Sequence, residues 1–312
     1  MQLSELARAC EIFYGLNKPA FSLTPDTDFF VDLPSQKAAF DTLLFALSGG
    51  EGFIKISGEV GTGKTLLCRR LLNTLETQNT PTAYIPNPAL TPSALWRVLA
   101  RELGIDDHLL PDSQVQQSVQ HALLVMAGDN QVPVILIDEA QCMPCDTLEA
   151  LRLISNLETE RQKLVQIVLF GQPKLDDLLS QDSLRQLRQR ITYSARLEPL
   201  NNADILSVYL QHRLTAAGYR GMPLFNRAAL KTLWRASRGI PRLVNILAAK
   251  SLLAGYGSGS RMLDSNHVMR AVQDTESAML AGDATLPAAG NIQTPYLWYG
   301  LTLTACFLLV MM

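Results

Sequence analysis

Gly58-Glu59-Val60-Gly61-Thr62-Gly63-Lys64-Thr65 is a complete G-x-x-x-x-G-K-[ST] loop, and its flanks decide the fold. Before it runs the apolar stretch Phe53-Ile54-Lys55-Ile56-Ser57; after it, from Leu66 to Leu75, the pattern turns amphipathic. A strand joined to a helix N-terminus by a glycine-rich loop turns backbone N–H groups toward an anion. Gly61 and Gly63 allow backbone angles that other residues resist. Lys64 is placed to reach β- and γ-phosphates, and the Thr65 hydroxyl to ligate Mg²⁺. The expected nucleotide-binding set is Gly58, Glu59, Val60, Gly61, Thr62, Gly63, Lys64, Thr65 and Leu66, with Arg242 added below.

Outward from the loop, residues 53–57, 82–87, 132–138, 164–170 and 191–200 are apolar or β-branched runs bounded by turn signals. Helical patterns lie between them, near 64–77, 91–103, 112–127, 146–158 and 182–190, with an earlier one at 35–48 that Ser35 is placed to cap. This alternation predicts an α/β fold: a parallel five-stranded sheet flanked by helices. After Leu200 the pattern is helical only, at 202–217, 226–236, 239–255 and 265–274, with Asn202 or Asn201, Asn226 and Ser265 as candidate caps. The expected organisation is an N-terminal segment near the nucleotide site (1–34), a nucleotide-binding α/β domain (35–200), a small all-helical lid (201–280), a linker (281–295) and an apolar C-terminal helix (296–312).

Val134-Ile135-Leu136-Ile137-Asp138-Glu139 supplies the second half of a site. Its carboxylates emerge at the C-terminal end of a central strand, where open α/β sheets bind ligands. Asp138 is the expected Mg²⁺ residue, and Glu139 the general base that polarises the attacking water. Gln172, at the end of the next apolar run, either touches the γ-phosphate or lytic water, or caps the following turn. Arg185, Arg188 and Arg190 precede the last strand, at a spacing usual for a solvated helix face. In Arg238-Gly239-Ile240-Pro241-Arg242, Pro241 suits a first helical turn, and Arg242 reads as a lid residue reporting on the γ-phosphate.

Together these residues resemble the AAA+ ATPases over residues 35–275, and within them the ExeA/GspA group of bacterial secretion ATPases. Tyr14-Gly15-Leu16, Pro19 to Asp26, the phosphate loop, Asp138-Glu139-Ala140-Gln141 and Leu169-Phe170-Gly171-Gln172-Pro173 carry the closer likeness. Gly52 to Ile56, leading into Leu66-Leu67-Cys68-Arg69, looks like the ATPase of mannose-sensitive haemagglutinin (type IV) pilus biogenesis. The resemblance implies ATP hydrolysis with Mg²⁺ in a homo-oligomer, with Arg190 as the finger acting on a neighbour's nucleotide. Its implied setting is the cytoplasmic face of a bacterial inner membrane, among pilus or secretion assembly proteins. Gln172 stands where the wider superfamily has Asn or Thr. Secretion members continue into a peptidoglycan-binding domain, an activity not carried over to this chain.

Composition narrows the partners. With 27 basic and 29 acidic residues the formal charge is −2, which argues against nucleic acid as the main partner. The rival function, a DNA-dependent ATPase of initiator or transposition type, shares this core but usually appends a DNA-binding module after the lid. A third reading is a nucleotide-gated scaffold without turnover, against which Glu139 counts. Five cysteines and an N-terminus interrupted by Glu5, Arg8 and Glu11 fit a reducing cytosol and no secretory leader. Cys142-Met143-Pro144-Cys145 finds no second pair at metal-ligand spacing and reads as packing. No charged side chain occurs from Ala284 to Met312, and Tyr296 to Met312 reads as a short membrane anchor. Tyr296, Trp298 and Tyr299 would then form its interfacial belt.

Overall fold

The computed structural model describes residues 3–158 and 163–278. Five strands, β1 (Phe53–Gly58), β2 (Thr82–Ile85), β3 (Val134–Ile137), β4 (Gln166–Gly171) and β5 (Ile191–Leu197), form one sheet in the order β2-β3-β4-β1-β5. Every neighbouring pair is parallel, so each connection crosses a face of the sheet. The expected parallel sheet is present, with strand ends moved by one to three residues from the apolar runs.

Alternation along the strands divides the core in two. Ile54, Ile56, Val134, Leu136, Val168 and Phe170 pack under α2 (Pro34–Ser48) and α3 (Lys64–Thr77), against Phe40, Leu43, Leu67 and Leu71. Phe53, Ile135, Ile137, Ile167 and Leu169 face the other way. They meet Leu95 of α4 (Pro92–Glu102), Val119 and Leu123 of α5 (Asp112–Gly128), and Leu148 and Leu151 of α6 (Cys145–Ile154). Burial on both faces is why β3 and β4 read as unbroken apolar runs. β5 alternates half-buried with exposed residues, as an edge strand does.

Beyond β5 come α9 (Ala203–Ala216), α10 (Arg227–Ser237), α11 (Pro241–Gly257) and α12 (Ser265–Gln273). Asn202 and Asn226 cap α9 and α10, accepting the N–H groups of Ile205 and Ala229. Two expected caps are corrected. α2 begins on Pro34, whose missing N–H costs nothing in a first turn, and Ser35 donates instead to the Glu198 carbonyl. α12 is capped by Asp264, one residue before Ser265; its carboxylate accepts from the Asn266 and His267 N–H groups while the His267 ring accepts from the Asp264 N–H.

Sequence periodicity gave no helix at α1 (Leu3–Tyr14) or α7 (Lys174–Leu179). α7, at six residues, is too short to declare a period. α1 lies against α11, where the Tyr14 hydroxyl reaches the Leu252 and Ser260 carbonyls, each at 3.1 Å. The last of the arginine-rich stretch is α8 (Arg185–Arg190), entered from a 3₁₀ turn at Asp182–Leu184. The apolar run 296–312 lies outside the described residues; among those described, no helix is long and apolar enough to cross a membrane.

Candidate nucleotide site

β1 ends at Gly58 and α3 starts at Lys64, so the loop closes between a strand end and a helix N-terminus, as the sequence requires. Gly63 takes φ 102° and Gly61 φ 84°, both in the left-handed region. Gly61 has a second reason to lack a side chain. A Cβ there would lie 2.6 Å from the Cβ of Arg242, and the Arg242 N–H donates to the Gly61 carbonyl at 3.1 Å. The first turn of α11 is thus bonded to the phosphate loop itself.

Lys64 is buried, and its ammonium donates to the carbonyls of Gly58 (2.9 Å) and Glu59 (3.0 Å). Burial lowers its pKa, against the opposing pull of Glu139, Asp138 and Glu59. Asp138, buried at the end of β3, is pushed above the usual carboxylate range by desolvation. Hydrogen bonds from Thr65 and from the Glu139 N–H (2.9 Å) work in the opposite direction. A buried carboxylate bonded to a threonine hydroxyl, beside an anion-binding loop, is a hard-oxygen set that fits Mg²⁺. Asp138 and Thr65 are the residues that would hold it.

Glu139 is half-buried and held in the left-handed region, φ 51° and ψ 38°, an uncommon backbone for a glutamate. Its Oε2 accepts the side-chain amide of Gln172 at 3.0 Å and also that of Gln141. Gln141 in turn accepts the backbone N–H of Gln172 at 2.9 Å through Oε1. The register places Ile137 opposite Leu169 and Ser57 opposite Gly171, so Gln172 emerges between the Asp138 strand and the loop strand. Of the two roles open to Gln172, the cap is not taken: the following helix has no side-chain cap, and the Gln172 amide holds Glu139 instead.

The structure brings Lys64, Thr65, Asp138, Glu139 and Gln172 together and leaves Arg190 apart. Ile191 pairs with Phe53, at the opposite end of β1 from the loop, about 16 Å away at ~3.3 Å per residue. There Arg190 donates to the Ser155 hydroxyl at 3.2 Å. Arg242 is exposed and lines the cleft above the loop.

That cleft, of ≈ 210 Å³, is walled by Ser22 to Asp26, the phosphate loop, Glu139 and the C-terminal helices, which contribute Pro241 and Arg242 and also Tyr209, Arg213 and Asn245. Sequence reading missed these last three. Arg213 is buried yet pairs with no carboxylate among the described residues. It donates to the carbonyls of Ala20 (2.8 Å) and Ser22 (3.1 Å) and to the Tyr209 hydroxyl (3.3 Å), and it lies over the Phe29 ring. An arginine within a helical pattern looks like a solvated one, so no local signal marks it.

Comparison with known proteins agrees with this geometry. Residues 47–179 match the family described as "AAA domain". The chain is 40% identical over 252 residues to "General secretion pathway protein A" of Aeromonas hydrophila, covering 80% of this chain and 46% of that protein. It therefore spans just under half the length of this relative. Among solved structures, the Aeropyrum pernix ORC2 protein superposes with TM-score 0.62 at 16% identity, over 84% of this chain and 72% of that one. CDC6p from Pyrobaculum aerophilum gives TM-score 0.61 at 18% identity, over 82% and 70%. These two establish the fold alone. Residues 47–179 of this chain are thus similar to AAA domains, and they carry the complete phosphate loop and strands β1 to β4 of the five-stranded parallel sheet.

Proposed function

We propose that this chain hydrolyses ATP, with Mg²⁺, as the motor or switch of an envelope assembly: a type II secretion-like machine or an MSHA-like type IV pilus. The reading rests foremost on one observation, the Glu139 carboxylate held by Gln141 and Gln172 beside a buried Lys64 and the Asp138–Thr65 pair. A scaffold that only binds nucleotide has no need of a positioned base. The 40% identity to a general secretion pathway protein supports the envelope setting.

In this reading Lys64 leaves the Gly58 and Glu59 carbonyls for the nucleotide's phosphates. Glu139 orients the attacking water and takes its proton, while the Gln172 amide keeps the carboxylate aimed. Asp138 and Thr65 would hold Mg²⁺, which would supply charge neutralisation at the phosphates. Arg242, on a helix bonded to the loop, communicates phosphate occupancy to the C-terminal helices, which act as a lid. Arg190 works in trans across a homo-oligomer, because its own loop is a strand length away. Residues 296–312 tether the chain to the cytoplasmic face of the inner membrane.

Glu139→Gln should bind ATP as the wild type does and lose turnover by about 10²–10⁴-fold, since an amide cannot accept the proton. Near wild-type hydrolysis by that variant would remove the general-base assignment. Lys64→Ala should weaken ATP binding by about 10²-fold, the scale of a lost charge-assisted contact. The Gln variant, arrested on ATP, is the form to use for capturing pilus or secretion components from membranes. Deleting residues 291–312 should move the ATPase to the soluble fraction with ATP binding retained. A full-length chain already soluble without detergent contradicts the tether.

A further inference from the structure

Beside the phosphate loop, and continuous with the cleft through Gly63, Leu66 and Pro241, lies a slot whose other walls are Phe29, Val31 and Leu33. Its lining is mainly apolar; the polar side chains on it are Thr62, Tyr209, Arg213 and Gln36, the last in the first turn of α2. Gln36 is 6% exposed. Its Nε2 donates to the Thr62 carbonyl of the phosphate loop at 3.4 Å. A carbonyl only accepts, so this contact fixes which end of the amide is which. The Oε1 is left buried with no partner in the protein. A buried acceptor without a donor costs the fold free energy, and native proteins retain such atoms where a ligand completes them.

The slot itself, of ≈ 40 Å³, has room for the edge of a planar ring whose body lies in the adjoining cleft, past the loop from the phosphate end. We propose that Gln36 is the base-reading residue of this site: its Oε1 accepts a hydrogen bond from the exocyclic 6-amino group of a purine. The inference rests on the nucleotide-binding reading above and sharpens it, because it assigns the choice of base to one side chain. A 6-oxo purine presents a second acceptor at that atom, leaves both oxygens unpaired and is disfavoured. A purine with hydrogen at position 6 loses the bond without the repulsion. The Thr62 contact also links base to phosphate, since the carbonyl that orients Gln36 belongs to the phosphate loop.

The test is equilibrium binding of ATP, purine riboside triphosphate and ITP to the full chain, wild type and Gln36→Met, with Lys64→Ala as control. Wild type should prefer ATP to the 6-unsubstituted analogue by roughly five- to tenfold, the worth of one buried hydrogen bond, and ITP should bind more weakly still. In Gln36→Met the ATP preference should shrink to within about twofold, with affinity for the unsubstituted analogue held or raised. Equal wild-type binding of ATP and the unsubstituted analogue overturns the proposal whether or not the variant folds. So does a preference that survives intact in Gln36→Met. Those results leave the nucleotide reading standing if Lys64→Ala still weakens the binding by about 10²-fold. Absence of binding by any of the three triphosphates removes both.

Discussion

The two ends of β1 follow opposite rules. At its C-terminal end the polar groups satisfy one another: Lys64 bonds loop carbonyls, Thr65 bonds Asp138, and Gln141 and Gln172 hold Glu139. At its N-terminal end, where Phe53 pairs with Ile191, three arginines crowd one short helix. Arg185 and Arg188 are exposed, and Arg190 rests on Ser155. A closed cluster performs chemistry within its own subunit. A cationic patch with little to neutralise it at an open sheet edge has reach but no local task, which is what a contribution to a neighbouring copy requires.

The sharpest way to break this contrast is at Arg190. Arg190→Ala should leave ATP affinity of the isolated chain nearly unchanged and cut hydrolysis by about 10³-fold, the range for loss of an arginine finger. Mixing it with Glu139→Gln should restore part of the activity, because some interfaces then combine an intact base with an intact finger. If mixtures stay inactive and specific activity does not depend on protein concentration, the two ends of β1 are not partners across an interface. At the closed end, Gln141→Leu should lower kcat about tenfold with KM held. That falls short of the 10²-fold that a misplaced reacting group costs, because Gln172 still anchors Glu139. An equal rise in KM would make Gln141 a structural residue of the loop instead.

The smallest effect is in stability, and its sign is the informative part. Burial raises the Asp138 pKa, so ionising it costs the ligand-free fold. Stability from this group is fullest below the ordinary carboxylate pKa and is lost as pH rises through the elevated one. Asp138→Asn should therefore raise the ligand-free melting temperature at neutral pH by about 2 °C. The gain should disappear near about pH 4, where Asp138 itself is protonated. A neutral-pH melting temperature that falls would show that the Thr65 and Glu139 hydrogen bonds outweigh desolvation.

What the chain's sequence revealed and concealed divides along similar lines. The loop, the carboxylate pair and the apolar strands are contiguous patterns, each enforced by a local rule: left-handed glycines, a strand buried on both sides, a helix N-terminus. Asn202 and Asn226 were legible as caps because a cap bonds three residues away. Gln36, Arg213 and Tyr209 were not. Their partners are Thr62, Ala20, Ser22 and Asn245, tens to nearly two hundred residues distant, and nothing in a helical pattern says which polar residue turns inward. Ser265 lost its cap to Asp264 for a plainer reason: one carboxylate satisfies two N–H groups there.

The path of the first thirty residues has a mechanical consequence. Tyr14 ties α1 to the carbonyls of α11 and its following turn, the Asn17 N–H donates to Ala217, and Arg213 grips Ala20 and Ser22. A few residues later the chain has changed sides: the Pro25 carbonyl accepts from Arg69, and Asp32 pairs with Arg70, both on α3. It returns only after β5, at residues 198–202. The covalent chain thus crosses between helices and sheet twice, once through Ser22 to Asp26, which wall the cleft, and once after β5. A panel hung on a single pin swivels freely, whereas one hung on two turns about the line between them. The lid movement proposed above would turn about that one axis, so each nucleotide would meet the same arc of travel.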